Sequence, residues 1–525
     1  MDSENIIRLT KKRKKGFLRI IFSRFFLIFL LIVLQIVLIV MAYGWFARFD
    51  PYYSMMMTIF TVGMIIYLFN SSMDNSAKVT WMLIIAAMPI AGSALLWITR
   101  RGIGQRTVHA RAMEMIEATM DVLPQPGGVR ESLADDGSGM DDICTYVNRS
   151  GCFPILRNEG TEYYSSGEEM FSAMMEALEG AEKYIFIETF ILREGYMWGR
   201  MLDVLIRKAS QGVDVRIVFD GMNQMTNLPY RYDRLLREKG IKAKVFSPLI
   251  PFISSHLNYR DHRKILIVDG ETAFCGGINL ADEYINRETR FGHWKDSGLM
   301  VKGRAALSFM LMFLQMWDMD GTDELLPVLK TIDMSQVSEG ETLPGYLMPY
   351  ADCPLDDMKV GENVYMDILN RANRYVHIMS PYLIIDGEME AALKFAALRG
   401  IDVRIILPGI PDKKIANALA KTYYRELTEA GVRIYEYTPG FIHSKVFVCD
   451  DIKAVVGTIN LDYRSLYHHF ECATYLYRTD SVSKAEEDFD STLSVCREIT
   501  SEDILKLPRW TRVIGALFKF IAPLM

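Results

Sequence analysis

The sequence predicts an α/β protein made of two similar repeats that follow a hydrophobic N-terminal region. From about Gly151 onward, strand-like runs alternate with helical stretches, an order that predicts βαβ units and a mostly parallel sheet flanked by helices. The same series of segments then occurs a second time. Two long copies are too large and too few for a solenoid, so we predict two α/β domains packed about a pseudo-twofold axis.

The repeat consists of strand-like and glycine-turn segments that recur in the same order. The matching pairs are 184–192 with 375–384, 212–221 with 400–409, 240–248 with 431–439, and 262–279 with 443–460. Helix-like stretches, MLDVLIRKASQ in the first copy and MEAALKFAALR in the second, lie between the first two pairs. The last pair, HRKILIVDGETAFCGGIN and HSKVFVCDDIKAVVGTIN, also carries polar residues that a buried strand does not need.

Length and composition limit the domain organisation and the classes of partner. At 525 residues the chain is long enough for two sizeable cores. The predicted divisions are an N-terminal membrane region (1–110), a linker (111–150), the first repeat (151–330), the second repeat (331–505) and a C-terminal amphipathic segment (506–525). The formal net charge of −6 argues against a nucleic-acid-binding protein. The seven cysteines show no C-x-x-C pair or zinc-like spacing, so no disulfide framework is expected and a reducing compartment is favoured.

Three hydrophobic stretches, at 25–46, 51–69 and 79–99, are candidate transmembrane helices. The first is too long for a signal peptide and ends in YGWF, aromatic residues of the kind found at membrane interfaces. The basic cluster at 11–15 places the N-terminus in the cytoplasm, but the arginines after the third stretch favour the same side. One shorter stretch would then be re-entrant or interfacial. The C-terminal segment 506–525 predicts either a docking helix or an interfacial membrane helix, and the two roles are compatible.

The motif in each copy has the same residue types at the same spacing. His262 and Lys264 lie two positions apart and therefore share one face of a strand. The full motifs are His262, Lys264, Asp269, Gly276, Gly277 and Asn279 in the first copy, and His443, Lys445, Asp450, Gly457, Thr458 and Asn460 in the second. An isolated His-x-Lys is a chance pattern, but the complete spacing occurring twice within a wider repeat is not.

If the repeats pack about a pseudo-twofold axis, these polar faces meet in one pocket that contains two imidazoles, two ammonium groups and two carboxamides. Such a set suits a phosphodiester, because lysines and amides neutralise charge that builds on the phosphoryl oxygens in the transition state. One histidine can attack phosphorus, and the other can protonate the leaving alkoxide and then deprotonate an incoming alcohol. No cluster of acidic residues or of Cys and His indicates a metal, so no cofactor is expected.

The motifs resemble the paired HKD signatures of the phospholipase D superfamily over roughly residues 150 to 500. The wider context, NYRDHRKILIVDG, GGINLADEYI and HWKDSG in the first half and NLDYRSLYHHFE in the second, is similar to bacterial cardiolipin synthases. The resemblance implies a fold of two phospholipase D-like α/β repeats packed about a pseudo-twofold axis, preceded by N-terminal transmembrane helices.

The resemblance also implies roles for individual residues. His262 would be the nucleophile and His443 the acid and base, although the order of the two stays open. Lys264, Lys445, Asn279 and Asn460 would bind phosphate, Asp269 and Asp450 would complete the catalytic motifs by supporting their structure, and Asp296 and Glu471 would orient the histidines. Thr458, which replaces Gly277, would distinguish the two halves. For the neighbouring His256, His468 and His469 we predict solvent-facing or core positions, and for Trp294 a packing role.

The activity implied by the resemblance is the transfer of a phosphatidyl group between two phosphatidylglycerol molecules, which gives cardiolipin and glycerol through a phosphohistidine. The substrate and membrane lipid would be the partners, without nucleic acid. The site would lie at the cytoplasmic surface of the cell membrane. A phospholipase D that uses water and a phosphatidyltransferase that uses another alcohol remain alternatives. A nuclease of the superfamily is disfavoured by the acidic charge, and a non-catalytic membrane scaffold by the intact motifs.

Overall fold

The computed structural model describes most of the chain downstream of residue 50. The described residues are 9, 33, 37, 41, 51–101, 105–151, 153–229, 231–248, 259–322, 324, 342–356 and 358–524. Most of the first predicted membrane stretch (25–46), the basic cluster at 11–15 and His256 lie outside them.

From residue 51 onward, six helices of the described residues precede the first repeat. They are α1 (Pro51–Phe69), α2 (Asn75–Ala87), α3 (Pro89–Arg101), α4 (Gln105–Thr119), α5 (Val129–Asp135) and α6 (Met140–Gly151). Asp74 caps α2, because its carboxylate accepts hydrogen bonds from Ser76 N and Ala77 N at 2.9 and 3.1 Å. The region predicted as a linker is therefore largely helical, and α4 and α6 pack against the repeats.

The stretch predicted as a third membrane span (79–99) is two helices rather than one. Pro89 lacks the N–H that a continuous helix would need, so α2 ends before it and α3 begins with it. Each helix has 13 residues, or about 20 Å at 1.5 Å per residue, which is shorter than a bilayer core of about 30 Å. Among the described residues, no helix combines the length and the apolarity that crossing a membrane requires. The multi-pass prediction is therefore not confirmed.

The first repeat has a seven-stranded sheet with the order β2-β10-β8-β7-β3-β4-β5. Its strands and its neighbouring short strands are β1 (Leu156–Asn158), β2 (Thr161–Tyr164), β3 (Tyr184–Thr189), β4 (Asp214–Asp220), β5 (Lys242–Phe246), β6 (Arg260–Asp261), β7 (Lys264–Val268), β8 (Thr272–Gly276), β9 (His293–Lys295) and β10 (Gly298–Lys302). Its helices are α7 (Gly167–Gly180), α8 (Tyr196–Ser210), α9 (Asn223–Thr226), α10 (Tyr232–Arg237) and α11 (Arg304–Trp317), with 3-10 turns at Asp282–Ile285 and Asp318–Asp320.

The second repeat follows the same plan in a larger sheet. Its strands are β11 (Leu343–Asp352), β12 (Tyr375–Met379), β13 (Leu383–Ile384), β14 (Asp402–Pro408), β15 (Arg433–Tyr437), β16 (Gly440–Ile442), β17 (Val446–Cys449), β18 (Lys453–Gly457), β19 (Leu461–Asp462), β20 (His469–Tyr477) and β21 (Cys496–Glu498). Its helices are α12 (Val360–Arg371), α13 (Gly387–Leu398), α14 (Lys414–Glu429), α15 (Tyr463–Tyr467), α16 (Asp480–Leu493), α17 (Ser501–Leu505) and α18 (Arg509–Ile521), followed by a 3-10 turn at Ala522–Leu524. The order β11-β20-β18-β17-β12-β14-β15 matches that of the first sheet, and β1 and β21 add one strand at each end.

Both sheets are mixed, which corrects the prediction of a mostly parallel sheet. The βαβ strands β3, β4 and β5 are parallel, but β7, β8 and β10 pair antiparallel. Strand β7 enters the sheet antiparallel to β3, and the tight turn at Asp269 and Gly270 then reverses the chain so that β8 is antiparallel to β7. Asp269 and its counterpart Asp450 have φ angles of 55° and 56°, a left-handed conformation that Asp tolerates better than most residues.

The two repeats share one interface. Strands β8 and β10 of the first repeat face β18 and β20 of the second, and Cys275 Sγ lies 3.5 Å from Cys472 Sγ across the junction. Helix α11, almost entirely apolar and buried, packs against β7 of the first sheet and β11 of the second. The repeats are also joined by two short parallel pairings, β6 with β20 and β9 with β16.

Replacing either motif aspartate should destabilise the fold. The Asp269 carboxylate accepts hydrogen bonds from the backbone N–H groups of Glu182, Lys183 and Tyr184 at 2.6–2.8 Å. Asp269→Asn keeps the left-handed turn but replaces an acceptor oxygen by a donor, so we expect the free energy of unfolding to fall by about 1–3 kcal/mol. Thermal unfolding of the purified protein measures the loss. Asp203→Asn, an exposed substitution on α8, is the control, and equal melting temperatures for the two variants would contradict this role.

Candidate active site

The short pairings between repeats determine where the two motif histidines lie. In the β6–β20 pairing, Arg260 is opposite His469 and Asp261 opposite Phe470, so the next residue of each strand, His262 and Glu471, also align. The His262 N–H donates to the Phe470 carbonyl at 2.9 Å, which extends this register.

The second motif is positioned by the equivalent pairing. In β9–β16, Gly440 is opposite His293 and Ile442 is opposite Lys295, so His443 aligns with Asp296. The His443 N–H donates to the Lys295 carbonyl at 2.7 Å. Each histidine is therefore placed beside an acidic residue of the other repeat.

The two imidazole–carboxylate pairs cross between the repeats. His262 Nδ1 lies 2.8 and 3.0 Å from the two carboxylate oxygens of Glu471, and His443 Nδ1 lies 2.8 Å from Asp296 Oδ2. An ionised carboxylate only accepts hydrogen bonds, so each Nδ1 is the protonated nitrogen and each Nε2 carries the lone pair. In this tautomer either imidazole can act as a nucleophile or a base through Nε2.

Burial keeps both imidazoles neutral in the unliganded site. Burial lowers the pKa of His262 well below its usual value, and Lys264 adds to this shift, while Glu471 opposes it. Burial and Lys445 lower the pKa of His443 to about 4, although Asp296 again opposes the shift. The carboxyls are also buried, which would raise their pKa values, but the adjacent histidines hold the pKa of both Asp296 and Glu471 below normal. Each pair is therefore a neutral imidazole beside a carboxylate.

The two motif lysines are buried next to their histidines. The ammonium of Lys264 donates to the His262 carbonyl, and that of Lys445 to the His443 carbonyl. Burial lowers the pKa of Lys264, and it lowers the pKa of Lys445 to about 7, partly because Lys264 is also cationic. The charges of the two motifs therefore act on each other, and an anion in the pocket would stabilise both ammonium groups.

The two motif asparagines differ in their contacts. Asn279 Oδ1 accepts from Ile191 N at 2.9 Å and its amide donates to the Tyr284 hydroxyl at 2.7 Å, so only its second amide N–H remains for a phosphate. Asn460 Oδ1 is buried without a hydrogen-bond partner among the described residues. Asn460 is the better placed of the two to change partners when a ligand enters.

The motif aspartates lie outside the pocket. Asp269 and Asp450 follow β7 and β17, roughly 20 Å from the histidines at about 3.3 Å per residue. Asp450 accepts hydrogen bonds from three backbone N–H groups, of Asn373, Arg374 and Tyr375, which hold its carboxyl pKa below normal although burial opposes the shift. These geometries place the aspartates in turns and separate them from the other members of the candidate catalytic set.

The position after Gly276 or Gly457 differs between the repeats. A Cβ on Gly277 would lie 2.0 Å from Asp296 Oδ1, so this side of the pocket requires glycine. In the second repeat Thr458 donates its hydroxyl to Glu471 and accepts from Cys472 N at 3.0 Å. Glu471 thus has a hydrogen-bond donor besides its histidine.

An aromatic ring covers each imidazole at equivalent positions in the two repeats. The centroid of His469 lies 5.2 Å from that of His262, and the centroid of Trp294 lies 5.4 Å from that of His443. We call His262, Glu471 and His469 the first half-site, and His443, Asp296 and Trp294 the second half-site. The predictions of a core or solvent-facing position for His469 and of a packing role for Trp294 agree with their burial, but both rings also lie beside the motif histidines, which was not predicted from the sequence. Their position two residues before the acid, on the same strand face, is the sequence signal that identifies them.

Two groups of side chains among the described residues have the composition and spacing of metal ligands. Potential ligand atoms of His262, His469 and Glu471 lie within 4.8 Å of one another, as do those of a separate cluster, Glu362, Asp386 and Glu388. In that separate cluster Lys359 already supplies a cation, 3.4 Å from Glu362 and 3.3 Å from Glu388. The first group is the first half-site itself.

Comparison with known proteins relates the chain to one family. The family model described as a cardiolipin synthase, PLD-like domain matches residues 174–307 and 365–493, one match in each repeat. A protein of Streptococcus mutans described as uncharacterized is 49% identical over 465 residues, which cover 88% of this chain and 100% of that protein.

Relatives with a named activity are more distant but cover as much of the chain. The cardiolipin synthase of Alkalihalophilus pseudofirmus is 33% identical over 89% of this chain and 92% of its own length. That of Geobacillus kaustophilus is 33% identical over 86% and 90%. The crystal structure of a phosphatidylserine synthase of Haemophilus influenzae superposes with a TM-score of 0.55 at 16% identity, over 73% of this chain and 97% of that one, and supports the fold. The chain therefore belongs to the cardiolipin synthase family of phospholipase D-like phosphatidyltransferases.

Proposed function

We propose that this chain transfers a phosphatidyl group from one phosphatidylglycerol to another, which gives cardiolipin and glycerol. The observation that carries the proposal is the pair of crossed histidine–carboxylate contacts, with a buried lysine beside each, close enough together for the charges of the two motifs to act on each other. This arrangement provides one nucleophile, one acid–base group and two cations, which together match the requirements of phosphodiester exchange. The relatives named cardiolipin synthase support phosphatidylglycerol as the substrate.

In the first step, His262 Nε2 attacks phosphorus while the bond from phosphorus to the glycerol oxygen breaks. Glu471 stabilises the cationic imidazole that forms and holds it in the reactive tautomer. The leaving oxygen takes a proton from His443, whose pKa rises when the anionic phosphodiester occupies the pocket. Lys264 and Lys445 neutralise the non-bridging oxygens.

In the second step, the hydroxyl of a second phosphatidylglycerol loses its proton to His443 Nε2 and attacks phosphorus. The phosphorus–nitrogen bond breaks and His262 returns to its neutral form. Asp296 performs for His443 the role that Glu471 performs for His262. If water replaced the lipid hydroxyl, the same residues would give phosphatidic acid, so the hydrolase alternative differs only in the acceptor.

We also propose that the chain is attached to the cell membrane, with its pocket at the cytoplasmic surface. The N-terminal helices expose apolar side chains, including Ile59 and Phe69 of α1, and helix α18 exposes Trp510 and Leu517. The C-terminal end of helix α18 and the turn that follows it contact α2, where the Thr80 hydroxyl donates to the carbonyl of Phe520 at 2.7 Å. Apolar surfaces from the two ends of the described chain are therefore adjacent, as attachment to one lipid surface requires.

Purified protein in mixed micelles of phosphatidylglycerol should form cardiolipin and glycerol in equal amounts. His262→Ala and His443→Ala should each lower the rate by at least roughly 10³-fold, because one removes the nucleophile and the other the acid–base group. Quantified lipid products and free glycerol measure both effects, with thermal unfolding as the check that each variant folds. Phosphatidic acid in place of cardiolipin would support the hydrolase, and substantial activity in either variant would contradict the two-histidine reaction.

The crossed contacts predict different kinetic effects for the two acids. With a p-nitrophenyl ester of phosphatidic acid, whose leaving group needs little protonation, Glu471→Gln should slow the initial burst of p-nitrophenol, because it acts on His262. Asp296→Asn should leave the burst nearly intact and slow steady-state turnover, because it acts on His443. The slowed phase should fall roughly 10²- to 10⁴-fold in each case. Stopped-flow absorbance separates the phases, and the opposite pattern would reverse the roles of the histidines.

The buried lysine Lys445 predicts loss of activity in alkaline solution. Its pKa is about 7 in the unliganded site, so it loses its charge as the pH rises through that value and no longer attracts the phosphodiester. Because kcat/KM also depends on the protonated fraction of His443, we expect kcat/KM to fall more steeply above about pH 7 and kcat to fall only at higher pH, since the bound anion stabilises the ammonium. Lys445→Arg should lower overall activity but shift the alkaline limb of kcat/KM upward, because arginine stays charged. If the alkaline limb of kcat/KM stayed at the same pH in Lys445→Arg, the limb would report the titration of another group.

A further inference from the structure

We propose that the first half-site binds a divalent transition-metal ion of the zinc class through His262, His469 and Glu471, and that the bound ion inhibits the enzyme. Two imidazoles and one carboxylate are a ligand set that zinc favours, and three protein ligands leave a fourth position for water or a phosphate oxygen. The binding step rests on geometry alone, and the inhibition rests on the proposed function.

The ligand atoms are already close to a coordinating arrangement. Glu471 Oε1 lies 2.8 Å from His262 Nδ1 and 3.6 Å from His469 Nδ1. Nitrogen and oxygen ligands that lie about 2.0–2.1 Å from a tetrahedral zinc ion are separated from one another by roughly 3.3 Å. Side-chain shifts of a few tenths of an ångström would therefore bring these two spacings to the required value.

The buried, unpaired ring of His469 is a second observation that indicates a ligand in the first half-site. Its side chain is 7% exposed, yet neither ring nitrogen has a hydrogen-bond partner among the described residues. A neutral imidazole always carries one N–H donor and one acceptor, and burying both unpaired is unfavourable. Since Nδ1 is directed towards Glu471, a cation between them would satisfy the ring.

Metal binding would replace the hydrogen bond on which His262 depends. The ion takes the place of the proton that His262 Nδ1 donates to Glu471, and this proton is released to solvent. The metal then withdraws electron density from the imidazole and separates it from the carboxylate that orients it. His262 would no longer be a competent nucleophile, so turnover should stop until the ion is removed.

The second half-site should not bind the ion. Trp294 is at the position equivalent to His469, and an indole N–H has no lone pair to offer a metal. The inference therefore predicts one ion per chain in the pocket and assigns it to one repeat. His377 offers a matched control, since it is also a buried histidine, with Nδ1 2.7 Å from a carboxylate oxygen of Glu486, but lies outside the pocket.

The test uses the full-length purified protein after treatment with a chelator. Co²⁺, whose visible absorption reports tetrahedral coordination, is titrated into wild type, His469→Asn and His377→Asn, and Zn²⁺ is then used to displace it. We expect one tight site in wild type and in His377→Asn, and at least tenfold weaker binding in His469→Asn. Thermal unfolding without metal checks that each variant folds, and zinc X-ray absorption of the wild-type complex should show two imidazoles.

Turnover with added Zn²⁺ tests the inhibition. The turnover rate of each protein is compared with its own metal-free rate. In wild type and His377→Asn, Zn²⁺ should lower the rate at least tenfold, and EDTA should restore it. In His469→Asn, the same Zn²⁺ concentration should lower the rate only slightly. Equal metal affinity in wild type and His469→Asn would contradict the proposed metal site. Loss of metal binding in His377→Asn would also contradict it. A metal site that depends on His469 in a protein that makes no cardiolipin would overturn the proposed function alone. Cardiolipin synthesis without metal binding would overturn only this inference.

Discussion

The pocket depends on two short parallel pairings that exchange residues between the repeats. A single residue of register shift in β6–β20 would move Glu471 away from His262 and turn its side chain to the opposite face, because side chains alternate along a strand. The same holds for β9–β16 and the contact of Asp296 with His443. Neither repeat supplies both a motif histidine and the carboxylate that this histidine contacts. The domain interface therefore also forms the candidate active site.

This constraint explains why the interface is so tightly packed. Strands β8 and β18 carry the glycines of the two motifs, and a Cβ on Gly277 would come within 2.9 Å of the His443 carbonyl of the other repeat. The buried helix α11 contacts both sheets and fixes their separation. Inter-domain motion, the usual expectation for two linked domains, would break the register of the pairings. The packed interface beneath the site therefore holds the two motif histidines and their two carboxylates in place.

Much of this arrangement could be read from the sequence, because duplication made the motif visible. The repeat and the residues of the motifs were identifiable from the duplication, and the acids Asp296 and Glu471 from the resemblance to the phospholipase D superfamily. The crossing was not identifiable, since a sequence does not reveal which strand pairs with which across a domain interface. The mixed sheet was mispredicted because βαβ order accounts only for the parallel strands β3, β4 and β5, whereas β7 runs antiparallel to β3 and the turn at Asp269 makes β8 antiparallel to β7. His469 was missed because a histidine beside another histidine has no periodicity that separates a pocket position from a core position. Pro89 is a sequence signal for a helix break, but the continuous hydrophobicity of residues 79–99 led to the prediction of a single helix there.

A pseudo-symmetric pocket must still perform an asymmetric reaction, in which one histidine forms a bond to phosphorus and the other moves protons. The motif residues themselves are nearly identical, so the difference has to come from the layer around them. His262 is surrounded by Glu471, Thr458 and His469. The equivalent residues around His443 are Asp296, Gly277 and Trp294. Arg263, the residue after His262, forms a buried pair with Glu188 at 3.7 Å, whereas the residues equivalent to them in the second repeat are Ser444 and Met379. These differences distinguish the surroundings of His262 from those of His443, and an asymmetric reaction in which one histidine is the nucleophile and the other moves protons needs such a distinction.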